Sequence, residues 1–113
     1  MRILVTGGAG FIGSNFVRRT LEKRPGVEIV VLDALTYAGD LANLEGLEGQ
    51  FQFHEGNILD TDLLDSLVSH VDLMVHFAAE THNDNSLKFA KPFIETNVMG
   101  TFEIIQACVK HDV

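Results

Sequence analysis

Glycines at positions 7, 10 and 13 stand three apart in the segment Thr6-Gly7-Gly8-Ala9-Gly10-Phe11-Ile12-Gly13. Without a Cβ, Gly7 can make a tight turn, Gly10 lets backbone approach a phosphate, and Gly13 lets a helix pack closely on a strand. A glycine-rich turn with no ligand would show the same spacing, so the next acid separates the two readings. Asp33 follows the last glycine by 33 − 13 = 20 residues, where a carboxylate can accept hydrogen bonds from ribose hydroxyls. Turn and acid together point to a dinucleotide whose pyrophosphate sits on a helix N-terminus.

Gly8 and Gly13 also have the glycine spacing of a triphosphate-binding P-loop. Ser14-Asn15 stand where that loop needs Lys and Ser/Thr, which removes the group that would meet the terminal phosphates. The Asp33 charge opposes a 2′-phosphate, and Ala34-Leu35-Thr36-Tyr37 brings no cation to offset it, so NAD is preferred to NADP. Cys108 is the single cysteine and joins no Cys/His cluster, so neither an internal disulfide nor a zinc site is expected, and no metal is assigned. His54, His70, His76 and His111 are scattered and read as structural or solvated.

The elements that position this chemistry alternate. Ile3 to Val5, Ile29 to Leu32 and Leu73 to Phe77 are short apolar runs without polar alternation, as in strands covered on both faces, and Phe51 to His54 is a weaker one. Between the first two strands, Phe11, Ile12, Phe16, Val17 and Leu21 recur at helical spacing until Arg24-Pro25-Gly26 stops them. Asp60-Thr61-Asp62 starts a second helix with Leu63, Leu64, Leu67 and Val68 as its stripe. Ser86 to Ala90 reads as a short helix, and Pro92 opens a longer one on which Ile94, Val98, Thr101, Ile105 and Cys108 share a face. Gly39 to Gly49 reads as a loop with a helical turn.

Parallel strands joined by right-handed helical crossovers give an α/β, Rossmann-type doubly wound sheet with helices on both faces. Four strands would fill the order 3-2-1-4 and leave the fourth at an open edge, where self-association is expected. At 113 residues the chain fits one domain, 1–113, short of a cofactor-plus-substrate enzyme. Eight basic and sixteen acidic residues leave a net charge of −8, which excludes nucleic acid and anionic membranes as natural partners. Arg18, Arg19, Lys23 and Arg24 suit the negative end of the first helix better than an anion patch. The apolar run before Thr6 is too short for a signal peptide or a membrane span, and a reducing cytoplasm is the simplest home.

Thr-Gly-x-x-Gly-x-x-Gly, together with Asp33 to Gly39, Phe77 to His82 and Phe93 to Thr101, resembles the extended short-chain dehydrogenase/reductases, in particular their nucleotide-sugar 4,6-dehydratases. The resemblance spans the chain and implies an amino-terminal NAD-binding part. It implies that Phe11 and Ile12 cover the pyrophosphate, that Asp33, Ala34, Leu35 and Thr36 hold the adenosine ribose, and that Asn57 and Ile58 border the adenine. Asn57 stands where that family usually has Asp, and beside Gly56 it also suits a plain turn. Phe77, Ala78, Ala79 and Thr81 are implied at the cofactor from the fourth strand, with Thr96 opposite; Thr81 and His82 are implied at the sugar. For both threonine hydroxyls a local backbone bond is the alternative. His82-Asn83-Asp84-Asn85-Ser86 lacks the Arg common in the family, which leaves an anion contact there in doubt.

The implied parent reaction converts dTDP-glucose to its 4-keto-6-deoxy product, towards dTDP-rhamnose: oxidation at sugar C4 by hydride transfer to NAD, loss of water across C5 and C6, then hydride return at C6. That family uses a Tyr-x-x-x-Lys pair and a Thr-Asp-Glu set. Tyr37 is the single tyrosine here and position 41 is Leu41, so no catalytic residue is assigned and the chain is expected to be inactive alone. A nucleotide-sugar 4-epimerase and a non-catalytic NAD-binding sensor or scaffold are the competing readings. Homodimerisation through helices is implied for the parent.

Overall fold

The computed structural model describes residues 1–36, 39–79 and 90–113. Strands β1 (Arg2–Thr6), β2 (Glu28–Asp33), β3 (Phe51–Glu55) and β4 (Leu73–His76) form one sheet in the order β3-β2-β1-β4, all neighbours parallel. β4 lies at an edge, as the sequence requires. Helix α1 (Phe11–Lys23) joins β1 to β2, and α2 (Thr61–Val68) joins β3 to β4. After β4 come α3 (Ala90–Ile94), a π-helical segment Glu95–Gly100 and α4 (Thr101–His111). The short helix expected over Ser86 to Ala90 lies outside the described residues except for Ala90, where α3 begins.

Alternation along the strands divides the core in two. Leu4, Val30 and Leu32 face Ile58, Leu64, Val68, Ile104 and Ala107 on the α2–α4 side. Ile3, Val5, Ile29 and Val31 face Ala9, Val17, Leu44 and Leu47 on the α1 side. Both faces of β1 and β2 are therefore dry, which is why their sequences show no polar alternation. A fully buried side chain such as Leu4 contributes about 2 kcal/mol. Asp60 caps α2 by accepting the Leu63 N–H at 3.2 Å. A 3₁₀ turn, Leu41–Leu44, occupies the loop expected between Gly39 and Gly49. The Arg18 guanidinium donates to the Asn43 and Glu45 carbonyls of that turn, each at 3.1 Å. It therefore staples α1 to the turn, in place of the helix-end role read from the sequence.

Two sequence expectations about helix faces are corrected. Phe11 and Ile12 begin the stripe of α1 on paper, yet they are 81 % and 66 % exposed; the first turn projects beyond the sheet, and burial begins at Gly13, Ser14 and Val17. On the last helix, Ile94, Val98 and Ile105 lie on an exposed face, whereas Gly100, Ile104 and Ala107 are buried. A π segment inserts extra residues into the turn and shifts the phase of everything after it, so an uninterrupted 3.6-residue reading selects the wrong stripe. Helix begins at Ala90, two residues before Pro92, which sits inside the first turn where its missing N–H costs nothing.

Candidate functional site: a cleft at the switch point of the sheet

β1 ends at Thr6, and the chain turns at once through Gly7, whose φ of +68° is the left-handed region glycine favours. A Cβ on Gly7 would lie 2.6 Å from the Ala78 nitrogen, so the turn and the end of β4 approach more closely than any side chain allows. Gly13 meets the Gly7 carbonyl in the same way, which seats α1 on the turn. Ser14 is the first residue of α1 to bond back, to the Gly10 carbonyl at 2.9 Å. The N–H groups of Phe11, Ile12 and Gly13 thus precede the helical ladder, and a 13-residue helix directs its positive end at this point. This is a phosphate seat of the expected kind.

Asp33, the last residue of β2, is 8 % exposed. Its Oδ2 accepts the Ala9 N–H at 2.9 Å and its Oδ1 accepts the Leu35 N–H at 2.8 Å. The Ala9 carbonyl accepts in turn from the Asp40 N–H at 3.1 Å and the Asn43 side-chain amide at 2.8 Å. Glycine turn, acid and 3₁₀ turn are therefore one hydrogen-bonded unit. Each carboxylate oxygen keeps acceptor capacity beyond its single backbone donor, which a vicinal diol could use.

Between these groups lies an open cleft lined by Gly7, Gly10, Asp33, Ala34, Thr36, Asn57, Ile58, Phe77, Ala78, Ala79 and Thr96. Its open volume, about 670 Å³, falls in the range of small-molecule sites. Eleven of the residues read from sequence thus converge. Leu32, Gly39 and Gly56 also line it and were not singled out; proximity to Asp33 and Asn57 was the available signal. Phe11, Ile12, Gly13 and Leu35 do not line it. Leu35, at φ +54°, turns its side chain into the core and offers its N–H to Asp33. Asn57 lines the cleft and makes the plain turn as well, accepting the Leu59 N–H at 2.9 Å. Thr81 and His82 lie outside the described residues.

Thr96 reaches the cleft from the π segment, and irregular helical turns of this type recur at functional sites. Gly100, at the end of that segment, packs so closely on Ile58 that a Cβ would overlap the Ile58 side chain. His76, taken from sequence as structural or solvated, is instead held between two threonines. Its Nδ1 is 2.6 Å from Thr6 Oγ1 and its Nε2 is 3.1 Å from Thr101 Oγ1. Burial lowers its pKa below the ordinary 6.5. Among the described residues no cluster of His, Cys, Asp and Glu is arranged to hold a metal, and no helix is long and apolar enough to cross a membrane.

Comparison with known proteins agrees with this geometry. Residues 3–113 match the family described as the NAD dependent epimerase/dehydratase family. A dTDP-glucose 4,6-dehydratase of Mycobacterium tuberculosis H37Rv is 50% identical over 113 residues, 100% of this chain and 34% of the relative. The crystal structure of DesIV, a dTDP-glucose 4,6-dehydratase of Streptomyces venezuelae with NAD and DAU bound, superposes with a TM-score of 0.94. It is 49% identical and covers 100% of this chain and 37% of that one. A UDP-glucose 4-epimerase of Thermotoga maritima superposes at 0.90 with 31% identity, covering 100% and 35%. The chain spans about a third of the length of these relatives.

Proposed function

This chain belongs to the NAD dependent epimerase/dehydratase family, and from that premise we propose that it is the NAD-binding part of a dTDP-glucose 4,6-dehydratase. The observation that carries the reading is the Ala9–Asp33 hydrogen bond, which fixes a carboxylate beside the phosphate seat at 2.9 Å. The first turn of α1 would hold the pyrophosphate on the Phe11, Ile12 and Gly13 N–H groups. Asp33 would accept the adenosine ribose hydroxyls, and its charge would repel a 2′-phosphate. Asn57 and Ile58 would border the adenine. Phe77, Ala78, Ala79 and Thr96 would flank the nicotinamide side, where small side chains permit close approach. Thr81 and His82 would meet the sugar.

NAD supplies a hydride acceptor and donor when bound. What this chain contributes is binding and orientation. No Tyr-x-x-x-Lys pair occurs in its sequence, so proton transfer at the sugar falls to residues elsewhere in the full-length protein. The greater identity to dehydratases, 49–50% against 31% for the epimerase, favours elimination over epimerisation as the parent chemistry. We further propose a homodimer that buries the exposed apolar face of α3, the π segment and α4, and a cytoplasmic setting. The test is incubation of the full-length protein with dTDP-glucose. A 4-keto-6-deoxy product supports the proposal; a 4-epimer, or NAD binding without turnover, overturns it in favour of an epimerase or a sensor.

A further inference from the structure

We infer that His76 is a positioning residue, a neutral imidazole carrying its proton on Nε2, that ties the two walls of the cleft to each other. The inference rests on the dinucleotide reading of that cleft. His76 ends β4, and its ring lies between β1 and α4, outside the cleft lining.

The direction of each bond follows from counting protons. Thr101 Oγ1 donates its one hydrogen to the Asn97 carbonyl at 2.8 Å, so towards His76 it can only accept, and Nε2 must carry the hydrogen. A neutral ring then leaves Nδ1 as an acceptor, which takes the Thr6 hydroxyl proton at 2.6 Å. Thr6 Oγ1 in turn accepts the Ala78 N–H at 3.3 Å. The result is one unbroken sequence: Ala78 N–H to Thr6, Thr6 to His76, His76 to Thr101, Thr101 to the Asn97 carbonyl. Every member donates in the same direction, the arrangement in which successive hydrogen bonds polarise one another.

Both ends of the sequence are at the cleft. Ala78 lines it from the end of β4, and Asn97 adjoins Thr96, which lines it from the π segment. A π segment is a local exception to the α-helical ladder and needs support from outside the helix. Thr101 is the first residue of α4, so its hydroxyl, bonded to Asn97 and held by His76, pins the π-to-α junction to the sheet. An imidazolium would place a second donor against Thr6, reverse that hydroxyl and set it against the Ala78 N–H. Thr6 is wholly buried, and no water is available there to take up the lost bond. The depressed basicity that burial gives His76 agrees with a ring kept neutral.

Two substitutions divide the relay. His76→Asn keeps an acceptor near the Nδ1 position for Thr6 and abandons Thr101; His76→Gln reaches towards Thr101 and abandons Thr6. Thr101→Val removes the hydroxyl with little change of volume. In the full-length protein, freed of cofactor and titrated with NAD by calorimetry, each variant should weaken NAD binding about tenfold, the effect of one lost buried hydrogen bond. Turnover at saturating NAD should change less than binding. ¹⁵N spectra of histidine-labelled protein should show His76 as the Nε2–H tautomer at neutral pH, with both ring nitrogens shifting when NAD is added. Should the His76 variants fail to fold, Thr101→Val and the wild-type spectra decide alone. An Nδ1–H tautomer, an imidazolium, ring signals indifferent to NAD, or unchanged NAD affinity in Thr101→Val would each overturn the inference. Wild-type protein that binds no NAD at all would overturn the cleft assignment instead.

Discussion

The Ala9 N–H donates to Asp33 Oδ2 at 2.9 Å, joining the glycine turn after the first strand to the acid that ends the second. Spacing in sequence places these residues near each other; the bond makes them a single rigid unit. Replacing Asp33 therefore has two effects. Asp33→Ser should destabilise the fold by about 2 kcal/mol, as expected for lost charge-assisted hydrogen bonds. It should also weaken NAD binding at least tenfold while narrowing the preference for NAD over NADP, because the charge opposing a 2′-phosphate is gone. Denaturant unfolding and parallel titrations with the two cofactors check both parts.

Gly7 and Gly26 separate strain from collision. Both have positive φ, +68° and +91°, but a Cβ at Gly7 meets the Ala78 backbone at 2.6 Å whereas one at Gly26 meets nothing within 4 Å. Gly26→Ala should cost about 1 kcal/mol, the conformational term alone. Gly7→Ala should cost about 3 kcal/mol or more and abolish NAD binding, since backbone must move. Equal costs in a denaturant titration would mean that the close approach of Gly7 to Ala78 is absent.

Stability should depend on pH through His76. Its pKa is lower in the folded chain than the ordinary 6.5, so the unfolded state binds the proton more readily. Folding stability is full above pH 6.5 and declines as pH falls through that value, levelling off below the lower native pKa. Asp65 acts in a more acidic window. Hydrogen bonds from Lys110 and His111 lower its pKa below 3.8, so their contribution is present above 3.8 and is lost as pH falls through the native value. His76→Gln should flatten the first decline and leave the second, as read from thermal midpoints between pH 3 and 8.

The exposed face formed by Ile94, Val98, Phe102, Ile105 and Val109 is apolar along its length, with Val109 75 % exposed. A second copy covering it would be prevented by charge at its centre. Phe102→Glu should convert the full-length protein to monomer in sedimentation velocity, without loss of secondary structure. Persistence of the dimer would place the contact elsewhere, for example at the open edge of β4.

Much of this arrangement was legible in the sequence. Strand order and the glycine–acid site followed from periodicity and from a spacing tied to backbone geometry. What escaped had physical reasons. The π segment leaves no residue-type signature, so Ile94, Val98 and Ile105 were grouped on one face without sign that it is the exposed one. His76 is unremarkable until the fold brings Thr6 and Thr101, 70 and 25 residues away, to its two nitrogens. Leu35 was read at the ribose by likeness to a family, but its backbone φ sends the side chain into the core. Asn57 was left between two roles, and the cleft lining and the Leu59 bond show it in both positions.

The central claim is that this cleft is a site for NAD. Calorimetric titration of the cofactor-free, full-length protein with NAD and NADP tests it most directly, with Asp33→Ser as the comparison. The account predicts one NAD per chain, NADP at least tenfold weaker, and loss of that difference in the variant. Equal or tighter binding of NADP by the wild type, or no binding of either, would contradict it.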